Sequence, residues 1–312
     1  MTKTAPGVAP APLRLGLVGA GPWGRSIITT IDRLDGLSLT HLVTTRAENR
    51  DLAGDDCRVV GDAGDILSPD LLDGLVVAIP PQAQPEIVLA ALAAGVPVFA
   101  EKPLALDAAT AERLAGAARA AGVPLVVDHI HLFSPGFRGL LAALGELGPI
   151  RHISSEAGRW GPFREGVSVL WDFGPHDVSM CLKAMGRPPD TVSAIRHPAA
   201  GEGETVELRL AFDHVVAHCV LSNRRDKPAR RFHVEGADGE LLYDDKADAK
   251  LQHRFGDDAA WRPVGVPADL ALDTALLEFA GAVNGGVLDT NGLDLAVEVV
   301  RVLAGCEQSL AS

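Results

Sequence analysis

Cysteines are scarce in this 312-residue sequence, and the four that occur show no paired spacing: Cys57, Cys181, Cys219 and Cys306. Neither a disulfide framework nor a zinc site is therefore indicated. Long apolar segments are also missing, and the opening Met1 to Pro12 lacks the apolar core of a signal peptide. We expect a cytoplasmic protein that binds no metal and no membrane, with residues 1–12 as a disordered tail.

Basic residues are too few for a protein that binds nucleic acid or an anionic membrane. The chain has 28 Lys and Arg residues against 41 Asp and Glu residues, a formal net charge of −13. This sign is opposite to the positive electrostatic footprint of such proteins. Hydrophobic residues make up 47% and charged residues 22% of the chain, which is ordinary for a globular protein. The length predicts about two domains, and the expected partner is a small-molecule substrate.

The first half of the chain alternates apolar runs with helical stretches. Near-continuous apolar runs are typical of strands buried on both faces of a parallel sheet. The intervening stretches have the length expected of βαβ units. The pattern predicts strands at Leu13 to Val18, Leu37 to Val43, Cys57 to Val60, Leu75 to Ile79, Val96 to Ala100 and Pro124 to Asp128. Helices are predicted at Pro22 to Arg33, Pro85 to Ala94 and Asp107 to Ala121. We expect an α/β domain with a doubly wound parallel sheet over residues 13–128.

The second half, residues 129–312, has a different rhythm. Several of its runs alternate polar and apolar residues, as in Glu204 to Phe212, which is typical of an antiparallel sheet with one solvated face. Further strands are predicted at Ile150 to Gly158, Thr191 to Arg196, Val215 to Asn223, Arg231 to Glu235, Glu240 to Asp244 and Lys250 to Phe255. Helices are predicted at Gly136 to Leu147, Pro175 to Met185, Asp269 to Val283 and Gly292 to Leu310. We expect an α+β domain with a large, mostly antiparallel sheet for substrate binding and oligomerisation.

A Gly-x-Gly-x-x-Gly pattern follows the first strand and opens the first helix, at Gly19, Gly21 and Gly24. In dinucleotide-binding folds the first glycine allows a tight turn, the second admits a pyrophosphate, and the third lets the helix pack on the strand. The alternative is a glycine-rich turn that binds nothing. The βαβ context favours a Rossmann domain that binds a dinucleotide through these glycines and the adjacent Pro22 and Trp23.

The usual acidic residue after the second strand is replaced by Thr44, Thr45 and Arg46. Small hydroxyl residues and a guanidinium leave room and positive charge for a 2′-phosphate. A solvated turn with an unrelated arginine is the alternative. We expect NADP as the preferred cofactor, with NAD as the other choice.

Three motifs, taken in order, resemble one family. Val98 to Pro103 (VFAEKP) is similar to the Glu-Lys-Pro signature of the glucose-fructose oxidoreductase, inositol dehydrogenase and rhizopine-catabolism family, Gfo/Idh/MocA. The upstream Ala78 to Val98 resembles its strand-turn-helix passage, and Trp171 to Val178 resembles its Asp-x-Gly-x-His segment. The resemblance covers nearly the whole chain from Leu13.

This resemblance implies a Rossmann domain, a second domain with a large antiparallel sheet, and a nicotinamide between them. It implies that Lys102, Asp172 and His176 line the substrate pocket. Further cofactor contacts are expected from the strand-end segments, at Ile79, Pro80, Pro81, Gln84, Glu101 and Lys102. The family often has histidine where Gln84 stands, arginine where His131 or Leu132 stands, and aspartate where Ser179 stands, so substrate identity stays open.

The residue types suit these roles, and each has a structural alternative. Lys102 at a carboxyl strand end can hydrogen-bond a substrate oxygen, or pair with Glu101. Pro175 is expected at the first position of a helix, whose positive end keeps His176 neutral. Asp177 is expected to favour the same helix dipole. Asp172 either orients His176 or caps this helix.

Candidate substrate contacts lie on and near a loop expected over the pocket, from Gly158 to Val169. They are His131, Arg159, Trp160, Arg164 and Trp171. Arginine and tryptophan side chains can clamp or stack on a sugar, although loop anchoring and a structural histidine are open alternatives.

The combined hypothesis is an NAD(P)-dependent oxidoreductase that moves a hydride between nicotinamide and a secondary alcohol or ketone of a sugar, polyol or sugar derivative. Two alternatives stay open: a non-catalytic dinucleotide-binding regulator and an NAD-dependent glycoside hydrolase of the same family. The alternating strands also predict an apolar uncovered sheet face. We therefore expect a homo-oligomer, a dimer or tetramer, joined through the C-terminal sheet.

Overall fold

The computed structural model describes residues 11–161, 166–198, 201–256, 260–286 and 288–311. The chain divides into two compact units. The first runs to Ala100 and includes Ala117–Val126 and Leu276–Asp289. The second comprises Glu101–Gly116, Val127–Ala275 and the chain from Thr290.

The first sheet has six parallel strands in the order β3-β2-β1-β4-β5-β6. They are β1 (Leu13–Val18), β2 (Leu37–Val43), β3 (Arg58–Val60), β4 (Gly74–Val77), β5 (Val98–Glu101) and β6 (Leu125–Asp128). The helices between them are α1 (Pro22–Arg33), α2 (Gln84–Ala93) and α3 (Ala108–Ala121). This is the strand order of a Rossmann fold, in which the order reverses between β1 and β4 and ligands bind at the carboxyl ends of the strands.

The predicted bounds of β1, β2 and α1 are confirmed at both ends. The apolar runs predicted these strands because their central side chains, such as Leu15 and Leu17, are fully buried. The other predicted elements of this sheet are confirmed with ends shifted by a few residues, as at β5, which begins at Val98 instead of Val96. Shifts of this size are normal at the ends of strands and helices.

The second sheet has eight strands in the order β14-β13-β12-β11-β7-β10-β9-β8. They are β7 (Ile150–Trp160), β8 (Thr191–His197), β9 (Thr205–Phe212), β10 (Val215–Ser222), β11 (Arg224–Gly236), β12 (Gly239–Asp244), β13 (Leu251–Phe255) and β14 (Arg262–Val264). The β7–β10 pair is parallel and the other pairs are antiparallel. The mostly antiparallel sheet is thereby confirmed. The short β14 lacks an alternating pattern, and the sequence did not predict it.

The remaining helices are α4 (Pro135–Ala143), α5 (Val169–Met185), α6 (Ala271–Gly285) and α7 (Thr290–Ala311). Helices α4, α5 and α7 pack on the second sheet. Strand register aligns a buried row of side chains on the face that they cover, including Leu208, Cys219, Ser155, Phe232 and Tyr243. The core of the second unit lies between this face and the helices.

The opposite face of this sheet is mostly polar, which corrects the expectation of an apolar face. The residues that alternate with the buried row include Arg209, His218, Ser154 and His233 in one row across the strands. Ile195 on the edge strand β8 is an apolar exception and is 62% exposed. The alternating pattern shows which residues face the helices, but it does not make the other face apolar.

Helix α5 begins at Val169, so the expected start at Pro175 is wrong. Pro175 lies inside the helix, although a Gly-Pro pair usually favours a helix start. The first turn forms because Val169 and Leu170 are buried, and because the carboxylate of Glu204 accepts a hydrogen bond from the Val169 amide at 2.7 Å. Burial and this tertiary cap override the local proline signal.

Candidate active site

The glycine turn between β1 and α1 has the geometry that its sequence pattern predicts. Gly19 adopts a φ of +98°, and a side chain there would collide with the main-chain oxygen of Ala78. A side chain at Gly24 would collide with the main-chain oxygen of Gly19. At Gly21, by contrast, a Cβ would meet nothing within 4 Å. Two of the glycines are therefore required by the fold, and the third leaves open space beside the backbone.

The first turn of α1 faces this open space with uncapped amides. Gly21 is the N-cap and supplies no side-chain hydrogen bond, and Pro22 begins the helix. Trp23 is 38% exposed. Free amides and the positive helix end form an anion site. This turn fits the pyrophosphate of a dinucleotide cofactor.

The turn after β2 carries Arg46, and Arg25 of α1 bonds to the same segment. The Thr44 hydroxyl accepts hydrogen bonds from the Arg46 amide at 3.2 Å and from the side-chain amide of Asn49 at 3.4 Å. Asn49 is buried and accepts a hydrogen bond from Arg25 at 2.7 Å. Thr45, Arg46 and Arg25 are exposed. Thr44 thus shapes the turn, while Arg46 and the unpredicted Arg25 are available to an anion.

The other expected cofactor residues follow β4 and β5. Ile79, Pro80 and Pro81 continue directly from β4, and the Ile79 side chain lies against Gly19. Gln84 is the first residue of α2 and is fully buried. Glu101 is the last residue of β5. All of these positions belong to the carboxyl edge of the first sheet or to the turn that follows it, as the ligand rule for such sheets requires.

Lys102 follows β5 and is tied to helix α5. Its ammonium donates a hydrogen bond to the main-chain oxygen of Asp172 at 2.8 Å. A proline inside a helix lacks an amide proton and displaces the carbonyl four residues before it. Pro175 therefore removes the helical donor to the main-chain oxygen of Trp171, the residue before the one that Lys102 binds. Pro175, which caused the predicted start of α5 to be too late, therefore lies within one helical turn of the oxygen that binds Lys102.

Three histidines lie near Lys102 within the second unit. The rings of His131 and His176 meet edge to face, with 5.0 Å between their centroids. Nδ1 of His131 lies 3.0 Å from the hydroxyl oxygen of Tyr243. His129 is 3% exposed. Within the described part of the chain, neither ring nitrogen of His129 nor Nδ1 of His176 has a hydrogen-bond partner.

All three imidazoles are held in the neutral form. Burial lowers the pKa of His176 well below its ordinary value, and the charges of Lys102 and Arg230 lower it further. Burial and the charge of Arg230 do the same to the pKa of His131. Burial and then Lys102 lower the pKa of His129 to about 3. The expectation that a helix N-terminus keeps His176 neutral is wrong, because His176 lies well inside α5; burial and cationic neighbours act instead.

A buried ion pair is formed by the residue that follows His176 in α5. Asp177, the next residue of α5, binds Arg230 of β11 at 2.7 Å, and both side chains are buried. Burial raises the pKa of the Asp177 carboxyl, and the charge of Arg230 opposes this rise. Asp177 was expected to serve the helix dipole, but it lies mid-helix and instead anchors α5 to the sheet. The guanidinium also places a cation near the histidines.

Asp172 makes no hydrogen bond to Nδ1 of His176 in the described part of the chain. Asp172 lies in the first turn of α5 and is not the N-cap, which is Ser168. Among the described residues, Nδ1 of His176 has no hydrogen-bond partner, so Asp172 does not orient the ring through that atom. The main-chain oxygen of Asp172 accepts the hydrogen bond from Lys102 in this site.

The expected substrate residues other than His131 are spread apart. Arg159 and Trp160 end β7, and Trp160 is 58% exposed. Trp171 is not on a loop: it lies buried in α5 and donates a hydrogen bond to Glu307 of α7 at 2.9 Å. Arg164 lies outside the described residues. Of the described members of this group, His131 is the one whose ring contacts His176.

Sequence reasoning missed Tyr243 and Arg230 as members of the site. Tyr243 is the only tyrosine in the chain and lies on β12. The sequence offered only weak signals for these two residues: a single tyrosine and one arginine among several, each within a strand. Their relation to His131 and His176 depends on strand register, which the local pattern does not give.

One other cluster has metal-ligand chemistry, on the polar face of the second sheet. Suitable atoms of His233, Glu235 and Glu240 lie within 4.8 Å of one another. Glu240 is already paired with His233 at 2.7 Å and with Arg254 at 2.6 Å. The Arg254 guanidinium takes the place beside Glu240 that a metal ion would need, so these residues form a network of polar pairs instead of a metal site.

In the described part of the chain, no helix combines the length and the apolar character needed to cross a membrane.

Known proteins resemble the chain over most of its length. Residues 13–129 match the oxidoreductase family with an NAD-binding Rossmann fold, and residues 140–242 match the GFO/IDH/MocA C-terminal domain. A protein of Magnetospirillum magnetotacticum MS-1 with a known crystal structure is 41% identical, with a TM-score of 0.86 over 95% of this chain and 100% of that chain.

Two relatives carry inositol dehydrogenase names. Inositol 2-dehydrogenase 4 of Saccharopolyspora erythraea is 31% identical over 60% of this chain and 57% of its own length. The scyllo-inositol 2-dehydrogenase (NADP(+)) IolW of Bacillus subtilis is 25% identical over 80% of this chain and 74% of its own. The chain spans about half the length of the first relatives it matches. With both family domains present in order, the chain belongs to the Gfo/Idh/MocA oxidoreductase family.

Proposed function

We propose that this protein is an NAD(P)-dependent dehydrogenase or reductase that acts on a secondary alcohol or ketone of a polyol, sugar or sugar derivative. The observation that carries the proposal is the cluster of Lys102 with neutral His131 and His176 in a chain that also has the open glycine turn. The names of the inositol dehydrogenases among its relatives support the substrate class.

The first unit holds the cofactor in this proposal. The amides of the Gly19 to Gly24 turn bind the pyrophosphate, and the segment from Ile79 to Gln84 adds contacts along the sheet edge. Arg46, with Arg25 nearby, favours a 2′-phosphate and hence NADP over NAD. When bound, a nicotinamide would supply the hydride acceptor for oxidation of the alcohol or the hydride donor for reduction of the ketone.

Lys102 and His176 manage the substrate oxygen and its proton. The Lys102 ammonium hydrogen-bonds this oxygen and stabilises negative charge on it, while the Asp172 main-chain oxygen fixes the direction of the ammonium. Neutral His176 takes the hydroxyl proton during oxidation and returns it during reduction. Its lowered pKa keeps it unprotonated at neutral pH, the state in which a base must start. Asp172 acts in this scheme through Lys102.

We also propose a homo-oligomer, a dimer or tetramer, that pairs through the polar face of the second sheet. This face carries charges of both signs, such as the Glu156 carboxylate beside Arg225 and the Glu240 carboxylate beside Arg254. A two-fold axis can place acidic groups of one copy on basic groups of another. Light scattering at micromolar concentration should give at least twice the chain mass of 32.6 kDa, and a single chain mass would contradict the pairing.

The substrate screen tests the catalytic proposal. Polyols, beginning with myo-inositol and scyllo-inositol, are incubated with NADP⁺ and with NAD⁺, and keto sugars with NADPH, while nicotinamide absorbance is followed. We expect net cofactor reduction with at least one polyol, faster with NADP⁺. Cofactor binding without net turnover in any combination would instead favour a dinucleotide-binding regulator or a hydrolase that recycles its cofactor.

A further inference from the structure

The contacts of His131 define where its ring proton lies. Nδ1 is 3.0 Å from the hydroxyl oxygen of Tyr243, and that hydroxyl donates to Oδ1 of Asp245 at 3.4 Å. Tyr243 is fully buried among aromatic neighbours, including Phe137. The packing fixes the phenol ring, so its oxygen has a defined set of partners.

One arrangement makes both contacts of the phenol oxygen hydrogen bonds at the same time. A phenol has a single proton, and a carboxylate only accepts, so the Tyr243 proton is directed to Asp245. The phenol oxygen therefore accepts from His131, which places the imidazole proton on Nδ1. The hydroxyl of Ser134 is a second donor to the same oxygen, which accepts through two lone pairs. In this arrangement the phenol oxygen of Tyr243 accepts from His131 and Ser134 and donates its proton to Asp245.

We infer that Tyr243 and Asp245 hold His131 in the Nδ1–H tautomer, so that Nε2 is an acceptor-only group that selects a hydroxyl of the substrate. The selectivity part rests on the proposed function, because it requires a hydroxylated substrate beside His176. Tyr243 is a positioning residue in this arrangement. The substrate class is a polyol with a hydroxyl next to the reacting carbon.

The surroundings of His131 agree with this role. Its ring lies edge to face with His176, and Nε2 has no hydrogen-bond partner in the described part of the chain. Burial and the charge of Arg230 disfavour protonation, so Nε2 does not become a donor at neutral pH. A hydroxyl can donate to such a nitrogen, whereas a carbonyl or ether oxygen cannot. Substrates lacking that hydroxyl leave the acceptor unsatisfied.

Nitrogen NMR tests the tautomer directly. The protein is labelled with ¹⁵N-histidine and measured by long-range ¹H–¹⁵N correlation above the ordinary histidine pKa of about 6.5. Loss of one of the ten histidine patterns in His131→Gln assigns the residue. We expect protonated Nδ1 and bare Nε2 for His131. Protonated Nε2 with bare Nδ1 in the unaltered protein would overturn the inference.

Two substitutions at the phenol oxygen separate positioning from packing. Tyr243→Phe keeps the ring but removes the acceptor, so we expect the His131 pattern to move toward Nε2–H or a mixture of tautomers. Ser134→Ala removes the other donor to that oxygen and should leave the pattern unchanged, since Ser134 does not cap α4 with its side chain. An unchanged tautomer in a folded Tyr243→Phe protein would also overturn the inference.

The kinetic consequence is measured with a polyol that the wild-type protein turns over. Tyr243→Phe should raise KM about 3- to 10-fold, the value of one hydrogen bond, with a smaller change in kcat. A fall in kcat with unchanged KM would remove His131 from hydroxyl selection. Absence of turnover in the wild type would defeat the proposed function, while the NMR result would still decide the tautomer.

Discussion

The glycine turn of the first unit and the histidine cluster of the second unit are built in different ways. The turn is one short segment, Gly19 to Gly24, whose shape follows from where a side chain can and cannot fit. The cluster joins separate elements: His131 and Tyr243 are 112 residues apart in sequence. A binding turn can be encoded locally, whereas a set of neutral histidines requires a core to bury them. A substitution can therefore alter the glycine turn and leave the histidine cluster intact, or the reverse, and the effects on cofactor binding and on turnover can be measured separately.

The largest expected effect comes from breaking the cluster alone. His176→Ala should lower kcat by roughly 10²- to 10⁴-fold, the usual contribution of a positioned proton-transfer group. The affinity for NADPH, measured by nicotinamide fluorescence, should hardly change because the glycine turn is intact. His214→Ala, which alters an exposed histidine, is the matched control. Near-normal turnover in His176→Ala would remove this residue from the mechanism.

Acid should destabilise the protein through the same cluster. The pKa values of His129, His131 and His176 are lowered in the folded state, so below about pH 6.5 the unfolded chain binds protons that the folded chain does not. The free energy of unfolding therefore falls with decreasing pH, by up to about 1.4 kcal/mol per pH unit for each histidine.

Denaturant unfolding at a series of pH values measures this slope. His129→Gln should reduce it by one histidine's share, since the pKa of His129 is lowered to about 3. A slope that is identical with and without His129 would mean that this side chain is not buried in the neutral form. His214→Gln again provides the exposed control.

The choice of cofactor depends on the first unit. We expect NADPH to bind more tightly than NADH and Arg46→Ala to narrow the difference, because a charge-assisted contact to a phosphate contributes about 1.5 to 3 kcal/mol. Arg50→Ala changes an exposed arginine of the same segment and is the matched control. Equal affinity for NADH and NADPH in the unaltered protein would contradict the assignment.

The smallest effect on folding should come from Gly21→Val in the glycine turn. Gly21→Val adds a side chain in open space, so the Tm should stay the same, while NADPH affinity falls by about tenfold or more because the side chain meets the phosphates. Gly19→Val should instead lower Tm, since its φ of +98° and its contact with Ala78 exclude a side chain. Equal NADPH affinity in Gly21→Val would show that no phosphate binds there.

The sequence predicted the fold well because its signals were local. Continuous apolar runs predicted the parallel strands, alternation predicted the antiparallel sheet, and the glycine spacing predicted the turn. It misplaced the start of α5 because Gly174-Pro175 has the local form of a helix start, whereas Glu204 and the burial of Val169 extend the helix backwards. Tertiary contacts of this kind are not visible in a local pattern.

The candidate site was predictable in its residues but not in its connections. Lys102, Asp172 and His176 were selected by resemblance, and the structure joins Lys102 to the main-chain oxygen of Asp172, while Nδ1 of His176 has no hydrogen-bond partner among the described residues. Tyr243 and Arg230 reach the cluster through strand register. The neutrality of His176 was expected for the wrong reason, because burial rather than a helix end produces it.

Direct hydride transfer is the central claim, and an isotope measurement tests it most directly. A polyol that the protein turns over is prepared with deuterium on the carbon that carries the reacting hydroxyl, and the reduced cofactor released with NADP⁺ is analysed by mass spectrometry and NMR. The proposed function predicts one deuterium per molecule at nicotinamide C4. Consumption of the polyol with deuterium lost to solvent, or with no labelled cofactor released, would contradict it.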